Sequence, residues 1–286
     1  MPAYAAVDIG SNSTNLLIVG HDGQRQWHGR VTRLGSDGPS ATSEALAHYR
    51  HLIDDASVTA CRAVATEAVR TADDPDALLA ACSDALGWPV QVISGQHEGR
   101  LSFAGATRGL LLTADDVLVI DIGGNSTELA IANLAVSMPV GAAKITRHHL
   151  ASDPPAPEEL LNAIGVVHDH LDEALLLHPA LTCASSVIGV AGTMLVTAAV
   201  EIGRFDIDEL HGFTLTREAV EDVFRTLATE PLRDRIHNPG LPADRAEVIV
   251  GGCCVLVAIM RRMQLREITM STTGLLDGLI AELGAA

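Results

Sequence analysis

One short stretch of this sequence occurs twice, and this repeat constrains the possible folds more than any other feature. AVDIGSNSTNLLI lies at 6–18 and VIDIGGNSTELAI at 119–131, about one domain length apart. A match of this density is improbable by chance. We therefore interpret the chain as an α/β protein made of two copies of a βββαβα lobe, with a cleft between them. The copies align Asp8 with Asp121, Gly10 with Gly123, Asn12 with Asn125, Ser13 with Ser126 and Thr14 with Thr127.

Each copy predicts a strand that ends in Asp, a turn of small polar residues, and a second strand. Glycine allows the turn backbone to approach a ligand closely, and successive turn N–H groups can converge on an anion. The carboxylate at the strand end suits Mg²⁺. An ordinary hairpin turn would explain one copy, whereas two matching copies favour phosphate binding. The candidate phosphate-binding residues are Gly10, Ser11, Asn12, Ser13, Gly123, Gly124, Asn125 and Ser126.

Other phosphate-binding motifs are absent from the sequence. GxxxxGK[ST] does not occur, and Lys144 is the only lysine in the chain, which excludes a P-loop. No predicted strand leads into GxGxxG, so a Rossmann dinucleotide site is unsupported. The net charge of −17 argues against nucleic acid and acidic membrane surfaces as partners.

The remaining composition indicates a cytoplasmic protein. No apolar stretch reaches ~18 residues without a polar interruption, as a membrane span would require. The N-terminus has no basic region of the kind that begins a secretory signal. The five cysteines show no CxxC spacing, so we expect neither a disulfide framework nor a zinc site.

Hydrophobic periodicity predicts alternating strands and helices. We expect a first lobe over 1–115 and a second over 116–286, with the C-terminal helix packing back on the first lobe. The predicted strands are 5–9, 16–20, 58–65, 90–94, 117–121, 127–132, 186–191 and 267–271. The predicted helices are 43–56, 75–87, 98–112, 157–177, 217–229, 245–263 and 274–283, with one more that begins at 193.

Two such hairpins in duplicated lobes resemble the actin/sugar-kinase/Hsp70 superfamily, whose lobes are ribonuclease H-like. Within it, the chain resembles the exopolyphosphatase/guanosine pentaphosphate phosphohydrolase (Ppx/GppA) family, in a short form without C-terminal helical domains. The most specific motifs are ATEAVRTADD at 65–74 and SGQHEGRLSFAGA at 94–106, because actin-like kinases lack them. Later segments that match are GVAGT at 189–193, HGFTLTRE at 211–218 and ADRAEVIVGG at 243–252.

The resemblance implies roles for particular residues. Glu98 falls on the catalytic glutamate that activates water, and Arg70 on an arginine that contacts substrate phosphate. Asp121 and Glu128 match the acidic pair at the metal and the water, with Asp8 as a further metal ligand. The implied cofactor is Mg²⁺ or Mn²⁺, and the chain would act in the cytoplasm, with a homodimer as a further expectation.

The implied activity is release of the terminal phosphate from inorganic polyphosphate, from guanosine pentaphosphate, or from both. Two alternatives are an ATP-dependent small-molecule kinase and a non-catalytic regulator that binds a nucleotide or alarmone. The sequence also departs from the family pattern. His97 and Asn125 replace a Glu and a Gly, and GLLDGL at 274–279 stands where an Arg-containing segment is usual, which makes a long, highly charged substrate less expected.

Overall fold

The computed structural model describes residues 2–34, 38–110 and 116–284. The first part of the chain builds a five-stranded mixed sheet. Its strands are β1 (Tyr4–Ile9), β2 (Ser13–Val19), β3 (Arg25–Val31), β4 (Ala60–Ala65) and β5 (Val90–Val92). Its helices are α1 (Ser40–Asp55), α2 (Glu67–Arg70), α3 (Pro75–Leu86) and α4 (Gly95–Gly109).

The second part of the chain builds a six-stranded sheet. Its strands are β6 (Val117–Ile122), β7 (Thr127–Ile131), β8 (Leu134–Met138), β9 (Ser186–Val190), β10 (Thr214–Thr216) and β11 (Glu267–Met270). Its α-helices are α5 (Ala142–His149), α6 (Pro157–Leu177), α7 (Ala191–Ile202), α8 (Ile207–Leu210), α9 (Arg217–Thr229), α10 (Leu232–Arg235), α11 (Ile249–Arg262) and α12 (Leu275–Gly284). Short 3-10 turns occupy Pro179–Thr182 and Ala243–Arg245.

The two sheets repeat one strand order. The first runs β3-β2-β1-β4-β5, and the second runs β8-β7-β6-β9-β11 with β10 added at its end. In each sheet the first three strands form an antiparallel meander. The later strands lie parallel to the first, except β10, which pairs antiparallel with β11. The predicted fold class, two actin-like lobes related by duplication, is confirmed.

Several elements differ from their predicted bounds. The helices predicted at 157–177 and 217–229 are confirmed at both ends. The helix predicted at 98–112 begins earlier, at Gly95, because the Ser94 side chain accepts a hydrogen bond from His97 N and caps it. The helix predicted at 245–263 begins only at Ile249, and Arg245 lies in the 3-10 turn before it.

The third strand of each meander was not placed by periodicity. β3 (RQWHGRV) is mostly exposed and carries no alternating apolar pattern. Its pairing with β2 along the whole strand, from Ser13 with Val31 to Val19 with Arg25, determines its conformation. Edge strands of this kind depend on their neighbour's backbone more than on their own side chains.

Two helices pack on the sheet that lies in the other half of the sequence. α4 packs against β6, β7 and β8 of the second sheet, with Phe103 and Ala106 in a shared core. α12 packs against β1, β2 and β4 of the first sheet, with Leu276 and Leu279 buried there. The two helices also contact each other. The predicted boundary at 115/116 adjoins residues 111–115, which lie outside the described residues, and stays a prediction.

Within the described part of the chain, no helix combines the length and the apolar character that a membrane crossing requires.

Candidate active site

The two repeated hairpins have the same backbone geometry. Asp8 pairs with Asn15 in the first, and Asp121 pairs with Glu128 at the equivalent register in the second. Gly10 N donates to Ser13 O at 2.9 Å, and Gly123 N donates to Ser126 O at 3.0 Å. The repeat in the sequence is therefore a repeat of the same closed turn.

The turns of the two hairpins lie against each other. A Cβ on Gly124 would lie 3.1 Å from Asn12 Cβ and 3.2 Å from Ser11 Cβ, so glycine allows this close approach. Behind the second turn, Ala142 N donates to Gly123 O and Lys144 N donates to Gly124 O. The two turns thus form one surface at the base of the interlobe cleft, and backbone hydrogen bonds from α5 hold the second turn in place.

A cavity of about 900 Å³ opens above this surface. All eight candidate phosphate-binding residues line it, together with Asp8, Glu98 and Asp121. Arg70 and Glu128 are not among its lining residues, although both lie close to Glu98. The structure therefore brings the predicted phosphate-binding residues and three of the predicted acidic residues to one cavity.

Glu98 enters this cavity from the first turn of α4. Its side chain is buried, with 8% of the residue exposed. Arg70 Nη1 lies 3.7 Å from Glu98 Oε2, and the same Nη1 donates to Ile93 O at 2.5 Å.

α4 comes close to the second hairpin through two glycines. A Cβ on Gly95 would clash with Ser137, and a Cβ on Gly99 would lie 3.3 Å from Glu128 Cβ.

The buried carboxyl groups raise one another's pKa values. Burial, opposed by the Asn15 hydrogen bond and increased by Asp121, raises the pKa of Asp8 to about 7. Burial and Asp121 raise the pKa of Glu128 to about 8. Burial, followed by the carboxylates of Glu128, Asp8 and Asp121, raises the pKa of Glu98 well above its ordinary value. Burial also raises the pKa of Asp121. Binding of a proton or a cation to this cluster of carboxyl groups is therefore favourable.

Three carboxylate oxygens in this cluster have no hydrogen-bond donor to offset their burial. Asp8 Oδ1, Glu98 Oε2 and Glu128 Oε2 are buried and accept no hydrogen bond. Among residues 2–34, 38–110 and 116–284, no three His, Cys, Asp or Glu side chains are spaced to hold a metal ion by themselves. Mg²⁺ does not need such a cage, because it usually takes one or two carboxylates and fills its shell with water and phosphate oxygens. Asp121, Glu128 and Asp8 as metal ligands stay a prediction.

The sequence motifs did not reveal two serines that hold the acidic residues. Ser102 Oγ donates to Asp121 Oδ2 at 2.6 Å, and Ser137 Oγ donates to Glu128 Oε1 at 2.7 Å. Ser102 follows Glu98 by one helical turn, a spacing that could have indicated a shared face. Ser137 lies on β8, whose pairing with β7 places Ser137 opposite Glu128.

Arg245 is a further cavity residue without a role assigned from sequence. It belongs to the quoted segment ADRAEVIVGG and lies against Gly192, where a Cβ would be 3.1 Å from Arg245 Nη1. Burial lowers the pKa of its guanidinium, but arginine begins so high that the group stays cationic at neutral pH. Arg245 therefore supplies positive charge on the second-lobe side of the cavity.

The fold and cleft are similar to those of exopolyphosphatase-like proteins of known structure. The crystal structure of an exopolyphosphatase-like protein superposes with a TM-score of 0.91, at 28% identity over 99% of both chains. A crystal structure of the Aquifex aeolicus member of the Ppx/GppA family superposes with a TM-score of 0.80, at 26% identity over 99% of this chain and 98% of that one. Both likenesses extend over both lobes.

Sequence comparison gives the family. The chain is 31% identical to exopolyphosphatase 2 of Mycobacterium tuberculosis over 98% of both chains. It is 27% identical to exopolyphosphatase 1 of the same organism, over 96% of this chain and 86% of that one. The family described as the Ppx/GppA phosphatase family matches residues 24–284. The chain belongs to the Ppx/GppA phosphatase family, and the predicted enzyme class, a phosphoanhydride hydrolase, is confirmed.

Proposed function

We propose that the enzyme releases the terminal phosphate from inorganic polyphosphate by attack of a water that Glu98 activates. The observation that carries this proposal is the position of Glu98, a buried carboxyl group on the wall of a cavity whose base is two phosphate-binding turns. The two mycobacterial relatives carry the name exopolyphosphatase, which supports inorganic polyphosphate as the substrate. We further propose that the enzyme acts in the cytoplasm, as the composition of the sequence predicts.

Each part of the site has a task in this reaction. Terminal phosphate transfer to water needs a positioned nucleophile and stabilisation of charge on the phosphoryl oxygens. Glu98 would accept the proton of the attacking water, and its raised pKa brings it closer to the neutral range in which a general base works best. The turn N–H groups and Arg70 would stabilise the phosphoryl oxygens. A bound Mg²⁺ or Mn²⁺, held by Asp121 and Glu128 with Asp8 nearby, would add neutralising charge.

One observation favours guanosine pentaphosphate as a second substrate. Trp27 lines the same cavity and is 59% exposed. Its indole lies over Gly29, where a Cβ would clash with the ring and lie 3.0 Å from Asn15 Oδ1. An exposed indole beside a phosphate-binding turn offers a stacking surface for a base. Inorganic polyphosphate has no group that would use such a surface.

The test measures phosphate release from tripolyphosphate, long-chain polyphosphate, guanosine pentaphosphate and ATP in the presence of Mg²⁺. The wild-type enzyme is expected to release phosphate from at least one of the first three. Glu98→Gln keeps the shape of the side chain and removes the base, so kcat is expected to fall by at least ~10²-fold. Trp27→Ala is expected to raise KM for guanosine pentaphosphate and leave KM for tripolyphosphate unchanged.

A matched control is Glu158→Gln, which removes an exposed glutamate from the first turn of α6. Its rate is expected to equal that of the wild type, because this carboxylate lies outside the cavity. Absence of phosphate release from every substrate, or equal rates for Glu98→Gln and the wild type, would overturn the proposed mechanism.

A further inference from the structure

The hydrogen bond between Ser102 and Asp121 links two parts of the site that belong to different lobes in sequence. Ser102 is completely buried and lies on α4, one turn after Glu98. Its Oγ donates to Asp121 Oδ2 at 2.6 Å, the usual length of a charge-assisted hydroxyl–carboxylate bond. One face of one helix therefore presents both the proposed base and the partner of a proposed metal ligand.

The equivalent carboxylate in the first hairpin has a different kind of partner. Asp8 Oδ2 accepts from Asn15 Nδ2 at 3.2 Å, and Asn15 is the residue opposite Asp8 in the same hairpin. At the matching position of the second hairpin stands Glu128, which carries no donor when ionised. The donor for Asp121 therefore comes from outside the hairpin, from α4.

A buried carboxylate with one oxygen held by a donor has a fixed orientation, because rotation about its terminal bond would break the hydrogen bond. With Oδ2 held by Ser102, the Asp121 side chain presents its other oxygen, Oδ1, to ligands. Residues that orient a metal ligand in this way typically account for ~10–100-fold in metal affinity or activity. The bond also favours the ionised carboxylate, which is the form that binds a cation.

We propose that Ser102 is a positioning residue, which holds Asp121 toward the cation site. Because Ser102 and Glu98 lie one turn apart on α4, the same bond fixes the position of Asp121 relative to Glu98. This inference rests on the proposed function, in which Asp121 helps to hold the divalent cation. Ser102 itself contacts neither substrate nor cation in this role. It acts through Asp121, and its removal leaves the base and the phosphate-binding turns in place.

The test measures binding of Mg²⁺ and Mn²⁺ alone, by isothermal titration calorimetry, together with kcat at saturating metal. Ser102→Ala is expected to weaken the affinity for both metals by about tenfold, and Ser102→Thr, which keeps a hydroxyl, is expected to restore most of it. If Ser102→Ala does not fold, Ser102→Cys replaces it, because a thiol of similar size is a weak donor. The matched control is Thr107→Val, which removes a buried α4 hydroxyl that donates to the carbonyl of Phe103, and it is expected to leave metal affinity unchanged.

A double-mutant cycle separates positioning from general structural support. If Ser102 acts through Asp121, adding Ser102→Ala to Asp121→Asn causes no further loss of metal affinity. Unchanged affinity in Ser102→Ala, or full additivity with Asp121→Asn, overturns the positioning role while the proposed function stands. Unchanged affinity in Asp121→Asn itself overturns the assignment of the cation to Asp121, and with it that part of the proposed function.

Discussion

The hairpin between β1 and β2 and the hairpin between β6 and β7 share a register and a closing hydrogen bond, yet their carboxyl groups lie in different surroundings. In the first, Asn15 donates to Asp8 and adds no charge. In the second, Glu128 stands at that position and places a second carboxyl group beside Asp121. The difference between Asn15 and Glu128 thus makes one of the two proposed phosphate-binding turns more acidic than the other.

The packing of α4 increases the difference in acidity between the two hairpins. The helix lies against the second hairpin and carries Glu98 to it, while Gly95 and Gly99 allow the close approach. α12 packs at the corresponding place on the first sheet and carries no carboxyl group to Asp8 that contributes to its pKa. The two turns are equivalent in backbone, and the helices packed on them support the second hairpin as the proposed place of the chemistry.

The largest expected effect comes from the position where the first hairpin has Asn15 and the second has Glu128. Glu128→Gln is expected to lower kcat/KM for the best substrate by about 10²–10³-fold, because it removes charge from the proposed metal site. Asn15→Ala, at the equivalent position, is expected to cost less than about tenfold, since it removes one hydrogen bond to Asp8. Steady-state phosphate release measures both, and equal losses would show that the hairpins share the chemistry.

A second expected effect concerns pH in the absence of metal. The folded-state pKa values of about 7 for Asp8 and about 8 for Glu128 lie above the ordinary values of unfolded carboxyl groups. The folded protein therefore binds more protons than the unfolded chain between about pH 4 and pH 8. The free energy of unfolding should fall by several kcal/mol as pH rises through this window.

Urea unfolding with a chelator, at about pH 5 and about pH 8.5, measures this loss of stability, which saturating Mg²⁺ should reduce. Glu128→Gln should remove more of this pH-dependent loss of stability than Asp8→Asn does. The pKa of Glu128 lies higher than that of Asp8, and the second hairpin holds two acidic residues. The opposite ranking would contradict the contrast between the hairpins. A stability that rises with pH would contradict the raised pKa values themselves.

The smallest expected effect concerns the approach of α4 to the second hairpin. A Cβ at Gly95 would clash with Ser137, so Gly95→Ala should cost about 1–3 kcal/mol of stability through overpacking. Gly10→Ala should cost less, because its Cβ would lie 3.0 Å from Ser13 O, a contact that a small shift relieves. Thermal and urea unfolding measure both variants.

Gly165→Ala is the control for this pair, because that α6 glycine has open space around it. It should stabilise the protein by about 0.5–1 kcal/mol through helix propensity. A Gly95→Ala variant as stable as the wild type would show that α4 does not need glycine to pack on the second hairpin.

The duplication, the fold class and the residues of both turns could be predicted from sequence, because each turn is local and its Gly, Ser and Asn pattern encodes its shape. The edge strand β3 could not, since its exposed side chains carry no periodic signal and its partner β2 imposes its conformation. Ser137 and Arg245 were missed for a related reason. Neither residue forms a sequence motif with the other residues of the site. Strand pairing brings Ser137 to Glu128, and packing brings Arg245 to the cavity.

The sequence by itself determined that two equivalent turns exist, which we propose bind phosphate, since short-range steric and hydrogen-bonding preferences act within each copy. It also placed an extra carboxyl group, Glu128, in the second turn. Only the tertiary structure decided that Glu98, Ser102 and Asp121 meet. α4 crosses from its own half of the chain to the second sheet because Phe103 and Ala106 are buried there. Burial of an apolar helix face is a long-range requirement, and it brings Glu98 to the second hairpin.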